Sequence, residues 1–121
     1  MSKFTIRAVK SGIKFDLRAG NGEIIAVSEV YTTHASCLKG VQSVRTCALE
    51  APVEDQTLPG AQAKCPKFEL YADKRGNFRF RLKAANGKII AVSEGYTTKA
   101  ACLAGIESVR KNAPTAEMEA E

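Results

Sequence analysis

Two sets of residues in this chain have types and spacing that could do chemistry. The first is a segment present twice, Ser28-Glu29 followed by Tyr31-Thr32-Thr33, and Ser93-Glu94 followed by Tyr96-Thr97-Thr98. A serine and a carboxylate ahead of a helix resemble part of a nucleophilic site. Such a site needs a base within hydrogen-bond reach and donors for an oxyanion. The one histidine, His34, has Lys99 as its counterpart, so no paired base exists. A helix cap and a packed tyrosine account for the segment instead. Thr32 or Thr33, and Thr97 or Thr98, offer a hydroxyl to the unpaired amides of a first turn.

The second set is basic. Arg7, Lys14 and Arg18, with Asp16 among them, alternate with apolar residues in the first half; Tyr71, Arg79, Arg81 and Lys83, with Glu69, do so in the second. Period-two alternation puts them on one face of a sheet. Basic side chains around an aromatic on an open sheet could track phosphates and stack a base. Tyr71 is the one aromatic there, and an uncovered sheet face must be polar in any case. A solvated face is the main expectation, with a nucleic acid or other polyanion the alternative and a protein partner the third.

The remaining residue types point away from chemistry. Cys37, Cys47, Cys65 and Cys102 show no C-x-x-C spacing and no histidine cluster, so neither a metal nor another cofactor is expected. With no apolar leader at the N-terminus, the expectation is reduced, buried thiols in a cytosolic protein. No apolar run approaches the ~20 residues of a membrane helix. The net charge of +5 is uneven, with 7 basic and 6 acidic side chains in residues 1–60 against 11 and 7 in 61–121. That balance permits weak polyanion binding without implying it. No enzyme is expected.

The elements that position these residues come from a duplication. Residues 21–48 match residues 86–113 without a gap, at about two thirds identity. In each copy two alternating strands lead to an Asn-Gly turn, Asn21-Gly22 and Asn86-Gly87, for which a two-residue type I′ hairpin is expected. A short IIAV strand follows, and then a helix. The inward faces of the strands carry Phe4, Ile6 and Ala8, and later Phe68, Leu70 and Ala72. The helical stripes are Cys37, Leu38, Val41, Val44 and Ala48, and Cys102, Leu103, Ile106, Val109 and Ala113. Gly40 and Gly105 sit mid-helix, where glycine costs about 1 kcal/mol, so a close approach by a neighbouring element is expected. Arg45 suits the negative end of the helix dipole.

One copy, at about 50 residues, is too small for a comfortable core, so the two should share one. The segments LRAGNGEIIAVSEVYTTHASCLKGVQSVR and LKAANGKIIAVSEGYTTKAACLAGIESVR resemble the YegP-like family, a bacterial domain of unknown function found as tandem repeats or single-repeat dimers. The resemblance implies β3-α-β units that build a single sheet by exchanging their last strands, with both helices on one face. It brings no activity and no ligand. The expectation is therefore an α+β fold: one domain of two repeats (about 3–57 and 67–119, linker 58–66) on a shared antiparallel sheet. The chain should be monomeric, because the duplication satisfies internally what a single repeat needs a second subunit for. The leading functional reading is a small non-catalytic binding or accessory module.

Overall fold

The computed structural model describes residues 2–60 and 62–120. The first copy gives β1 (Lys3–Val9), β2 (Gly12–Arg18), β3 (Ile24–Val27), α1 (His34–Glu50) and β4 (Val53–Asp55). The second gives β5 (Lys67–Ala72), β6 (Phe78–Lys83), β7 (Ile89–Val92), α2 (Lys99–Asn112) and β8 (Glu117–Ala120). The strands form one eight-stranded sheet in the order β4-β5-β6-β7-β3-β2-β1-β8.

Each copy's last strand therefore lies at the far edge of the other copy. The helix supplies the reach. β4 is four positions from β3, about 19 Å at the usual strand spacing, and the 17 residues of α1 span about 25 Å. Both edge pairings, β4 with β5 and β8 with β1, are parallel. The sheet is thus mixed, where a wholly antiparallel one was expected. A parallel neighbour requires the chain to travel back along the strand before pairing, and residues 56–66 do so between β4 and β5.

An arginine from each helix fixes the exchanged segment. Arg45 donates to the Ala116 carbonyl at 2.5 Å and lies over the Phe4 ring. Arg110 donates to the Ala51 carbonyl at 2.6 Å and lies over Phe68. Arg45 therefore serves the incoming strand of the other copy; it is not in the last turn of α1, where the dipole argument placed it.

The core lies between the helices and one sheet face. Phe4, Phe15, Leu17, Phe68, Phe80 and Leu82 meet Cys37, Val41, Val44, Cys102, Ile106 and Val109, all essentially inaccessible. Thr33 and Thr98 are the N-caps, accepting from Ser36 N at 3.1 Å and Ala101 N at 3.0 Å. One stripe position differs from expectation: Leu103 is exposed. Cys37, Cys47 and Cys102 are buried as expected of the thiols, whereas Cys65, before β5, is only partly so. Ala8 and Ala72 are exposed as well, near strand ends beyond the helices' cover.

The mid-helix glycines are explained by tyrosines. A Cβ on Gly40 would fall on the Tyr31 hydroxyl, and one on Gly105 would lie 2.5 Å from the Tyr96 hydroxyl. Each ring stacks on a core phenylalanine, Tyr31 on Phe15 and Tyr96 on Phe80, with interplanar angles of 15° and 16°. The Asn-Gly turns are not type I′, since among the described residues none but glycine has positive φ. Gly22 N donates to Ala19 O, Ala19 N to Glu23 O, and Glu23 N to Asn21 Oδ1. Asn86 and Gly87 repeat this between Ala84 and Lys88. The loop has three residues, its last glycine left-handed at φ +88° or +83°, and the asparagine stays in ordinary backbone space because its side chain closes the turn.

Candidate functional site

Pairing register fixes which side chains share the sheet face opposite the helices. Thr5 faces Asp16, Arg7 faces Lys14 and Lys3 faces Arg18 across β1 and β2. Glu69 faces Arg81, Tyr71 faces Arg79 and Lys67 faces Lys83 across β5 and β6. Between these halves run β3 and β7, which meet at Val27 and Val92. The structure thus brings Arg7, Lys14 and Arg18 together, and Tyr71, Arg79, Arg81 and Lys83 together. It keeps the two groups apart by two strands.

The basic groups converge on carboxylates. Asp16 is fully buried, 3.1 Å from Arg18 Nε and 3.4 Å from Arg7 Nη2. Glu69, also buried, accepts from Arg81 at 2.5 Å and lies 3.2 Å from both Lys67 and Lys83. Burial works against ionising Glu69, but its contacts with Arg81, Lys67 and Lys83 outweigh that and hold its carboxyl below the ordinary range. Glu54, on the neighbouring edge strand, accepts from Gln56 Nε2, Lys67 Nζ and Ala63 N. Those bonds, that from Gln56 foremost, lower its pKa to about 2. Arg79 donates to Asp73 at 2.8 Å. The guanidinium of Arg81 lies 4.6 Å over the Tyr71 ring, so the face's one aromatic is already covered. Lys14 has no ion pair among the described residues.

The sequence showed the basic rows but missed Glu54, Lys67 and Asp73 as members of the network. Cross-strand register gives Glu69 opposite Arg81 but not these three, since Lys67 faces Lys83, Glu54 faces Glu69, and Asp73 lies in the hairpin beyond β5.

The Ser-Glu-x-Tyr-Thr-Thr segment is committed to the fold. Ser28 Oγ accepts from Phe15 N at 2.9 Å and donates to the Glu29 carbonyl at 2.7 Å. Ser93 does the same with Phe80 N and Glu94 O at 2.9 and 2.8 Å. These hydroxyls stitch the strand ends where the ladder breaks, and both serines are buried. Burial raises the phenol pKa of Tyr31 and of Tyr96. His34 is exposed at the first turn of α1. All four cysteines are free; Cys37, Cys47 and Cys102 are buried, and burial pushes the Cys102 thiol up to about 11. Among the described residues no group of three histidine, cysteine or carboxylate side chains could hold a metal ion, and no helix is long and apolar enough to cross a membrane.

Comparison with known proteins agrees with this duplicated, strand-exchanged plan. The model of a domain of unknown function, DUF1508, matches twice, at residues 9–55 and 73–119. The chain belongs to the DUF1508 family. A UPF0339 protein of Pseudomonas aeruginosa is 36% identical over 121 residues, 99% of this chain and 97% of its own. YegP of Escherichia coli O157:H7 is 40% identical over 102 residues, 84% of this chain and 80% of its own. A UPF0339 protein of Treponema denticola is 70% identical over 50 residues, 41% of this chain but 86% of its own, so it is about one repeat long. The solution structure of E. coli YegP, described as a protein of unknown function, superimposes with a TM-score of 0.81 at 32% identity, covering 99% of this chain and 92% of that one. No activity is established for these DUF1508 relatives.

Proposed function

We propose that this DUF1508 protein acts without catalysis, as a small binding or accessory module working as a monomer. One observation carries the reading: the serine hydroxyls ahead of the helices and the carboxylates of the sheet face, the groups that could form a catalytic set, are already occupied. Ser28 and Ser93 each donate and accept within the backbone, and Asp16, Glu54 and Glu69 are held by cations. The monomer follows from the exchange, since each copy receives its edge strand from the other within one chain. Treatment with a fluorophosphonate tests the non-catalytic part: neither Ser28 nor Ser93 should be labelled, and labelling of either would sink it.

A second reading, polyanion binding on the open face, is favoured by the uncommitted Lys14 and by two rows of arginine and lysine. It is weakened by the buried carboxylates and by the covered Tyr71. Amide-shift titration with short single-stranded RNA and DNA at two salt concentrations decides it. Salt-sensitive shifts at Lys14, Arg79 and Arg81 that vanish in Arg79→Ala/Arg81→Ala would establish it; no shifts at millimolar oligonucleotide would end it.

A further inference from the structure

Between the outer side of α1 and the Asn86-Gly87 hairpin of the other copy runs a groove of about 760 Å³, bordered by Val30, Ser36, Lys39, Asn86, Lys88 and Ile89. It continues along α1 past Gln42 and Thr46. The pseudo-two-fold of the fold generates a counterpart of about 550 Å³ at the Asn21-Gly22 hairpin, bordered by Glu23, Ile24, Glu94 and Gly95.

The two grooves have opposite charge. Lys88 in the first stands where Glu23 stands in the second, and Lys39 corresponds to Ala104. Glu29 and Glu94 are equivalent and cancel from the comparison. Lys83 also borders the first groove, but its ammonium is engaged by Glu69. The first groove also has Val30 and Ser36 where the second copy has Gly95 and Ala101.

Across the matched residues 21–48 and 86–113 nine positions differ, and all but His34/Lys99 and Val41/Ile106 border the first groove or its continuation. Positions off the groove differ as well, His34/Lys99 at the first helical turn and Lys14/Arg79 and Asp16/Arg81 on the open face, so it is the reversal of charge at Lys39 and Lys88, and not the number of differences, that sets this groove apart.

We propose that the first groove, and not its counterpart, is a binding site for a phosphomonoester carrying a compact apolar body. Lys39 and Lys88 supply two cations for the phosphate against the one carboxylate of the lining, Glu29. The hydroxyls of Ser36 and Ser43 and the carboxamide of Asn86 add donors along the wall. Val30, 45% exposed, and Ile89 receive the apolar part. This site is separate from the open sheet face and stands or falls independently of it.

The test is an amide-shift titration with phenyl phosphate at low salt, with inorganic phosphate and benzyl alcohol as arms. Saturable shifts are expected at Lys39, Ser43 and residues 86–88, and none at Glu23 or Ala104. Lys39→Ala/Lys88→Glu, which installs the residues of the other groove, should weaken binding at least tenfold. Glu23→Lys/Ala104→Lys should give the second groove affinity for phosphate without the preference for phenyl phosphate, because Gly95 stands there in place of Val30. All four substitutions fall at exposed positions, and unchanged shifts elsewhere will report an intact fold. Equal shifts in both grooves, shifts at lysines over the whole surface, equal response to inorganic phosphate, or no saturation by ~10 mM would each overturn the proposal.

Discussion

Gly40→Ala separates helix propensity from packing. In an exposed helix interior this change stabilises by about 1 kcal/mol, because alanine loses less backbone entropy than glycine. Here the new methyl would overlap the Tyr31 hydroxyl, with Tyr31 Cζ at 2.7 Å and Phe15 Cε2 at 3.1 Å. Neither ring has room to yield: Tyr31 stacks on Phe15, and Phe15 packs edge-on against Phe4. Overpacking a filled core by a methyl costs about 1–3 kcal/mol, and two immobile rings place this site at the upper end, about 3 kcal/mol. Subtracting the propensity gain leaves a net loss of about 2 kcal/mol. At about 4 °C per kcal/mol for a chain of this size, Tm should fall by about 8 °C in thermal denaturation followed by circular dichroism. The sign should reverse once the phenol is gone: in a Tyr31→Ala background Phe15 loses its stacking partner and can shift by the few tenths of an ångström the methyl needs, and Gly40→Ala should raise stability by about 1 kcal/mol. Stabilisation by Gly40→Ala with Tyr31 present would refute the reasoning outright, and so would equal effects in both backgrounds.

Other predictions follow from the same geometry. Arg110→Met keeps the stem over Phe68 but removes the bond to Ala51 O; it should cost about 1–2 kcal/mol and speed amide exchange in β4, and unaltered β4 protection would contradict the clamp. The pKa of Glu54 falls from 4.5 to about 2 on folding. A lowered folded pKa means that its contribution is complete above about 4.5 and is lost as pH falls to about 2. A carboxyl carbon titration of Glu54 should therefore centre near 2, and a midpoint above 4 would show that the Gln56 and Lys67 bonds do not form. With Cys37, Cys47 and Cys102 buried and Cys65 partly exposed, a thiol reagent at pH 8 should modify Cys65 alone in native protein. Rapid reaction of Cys102 would contradict its raised pKa.

Much of the fold was legible because the signals were local and present twice. The alternation around Phe4 and Phe68, the threonine caps and the IIAV strands need only neighbours in sequence. The glycine at position 40 announced a close approach but could not name Tyr31, which lies nine residues earlier on another element. What failed depended on distant partners. Arg45 near the end of α1 reads as a dipole residue until a strand from the other copy places the Ala116 carbonyl beside it. The parallel edges were hidden because alternation is the same for either strand direction. The turn type was misjudged because Asn-Gly serves a three-residue loop as well as a two-residue one. On the open face, a list of arginines and lysines overstated the available charge, since burial of Asp16 and Glu69 depends on the stems packed around them.

The crossed strands also change what dilution does to this molecule. In the middle of the sheet the halves meet at one residue pair, Val27 with Val92, and each half depends on a strand and an arginine supplied by the other. For a chain one repeat long that assembled in this way, the folded population would depend on how often two molecules meet. Here residues 56–66 tether the halves, and a covalent tether of that length holds them at an effective concentration of at least the millimolar range. Folding should therefore be first order, with a midpoint that does not move between nanomolar and micromolar protein. For the monomer proposed above, the duplication would remove abundance in the cell as a condition for being folded.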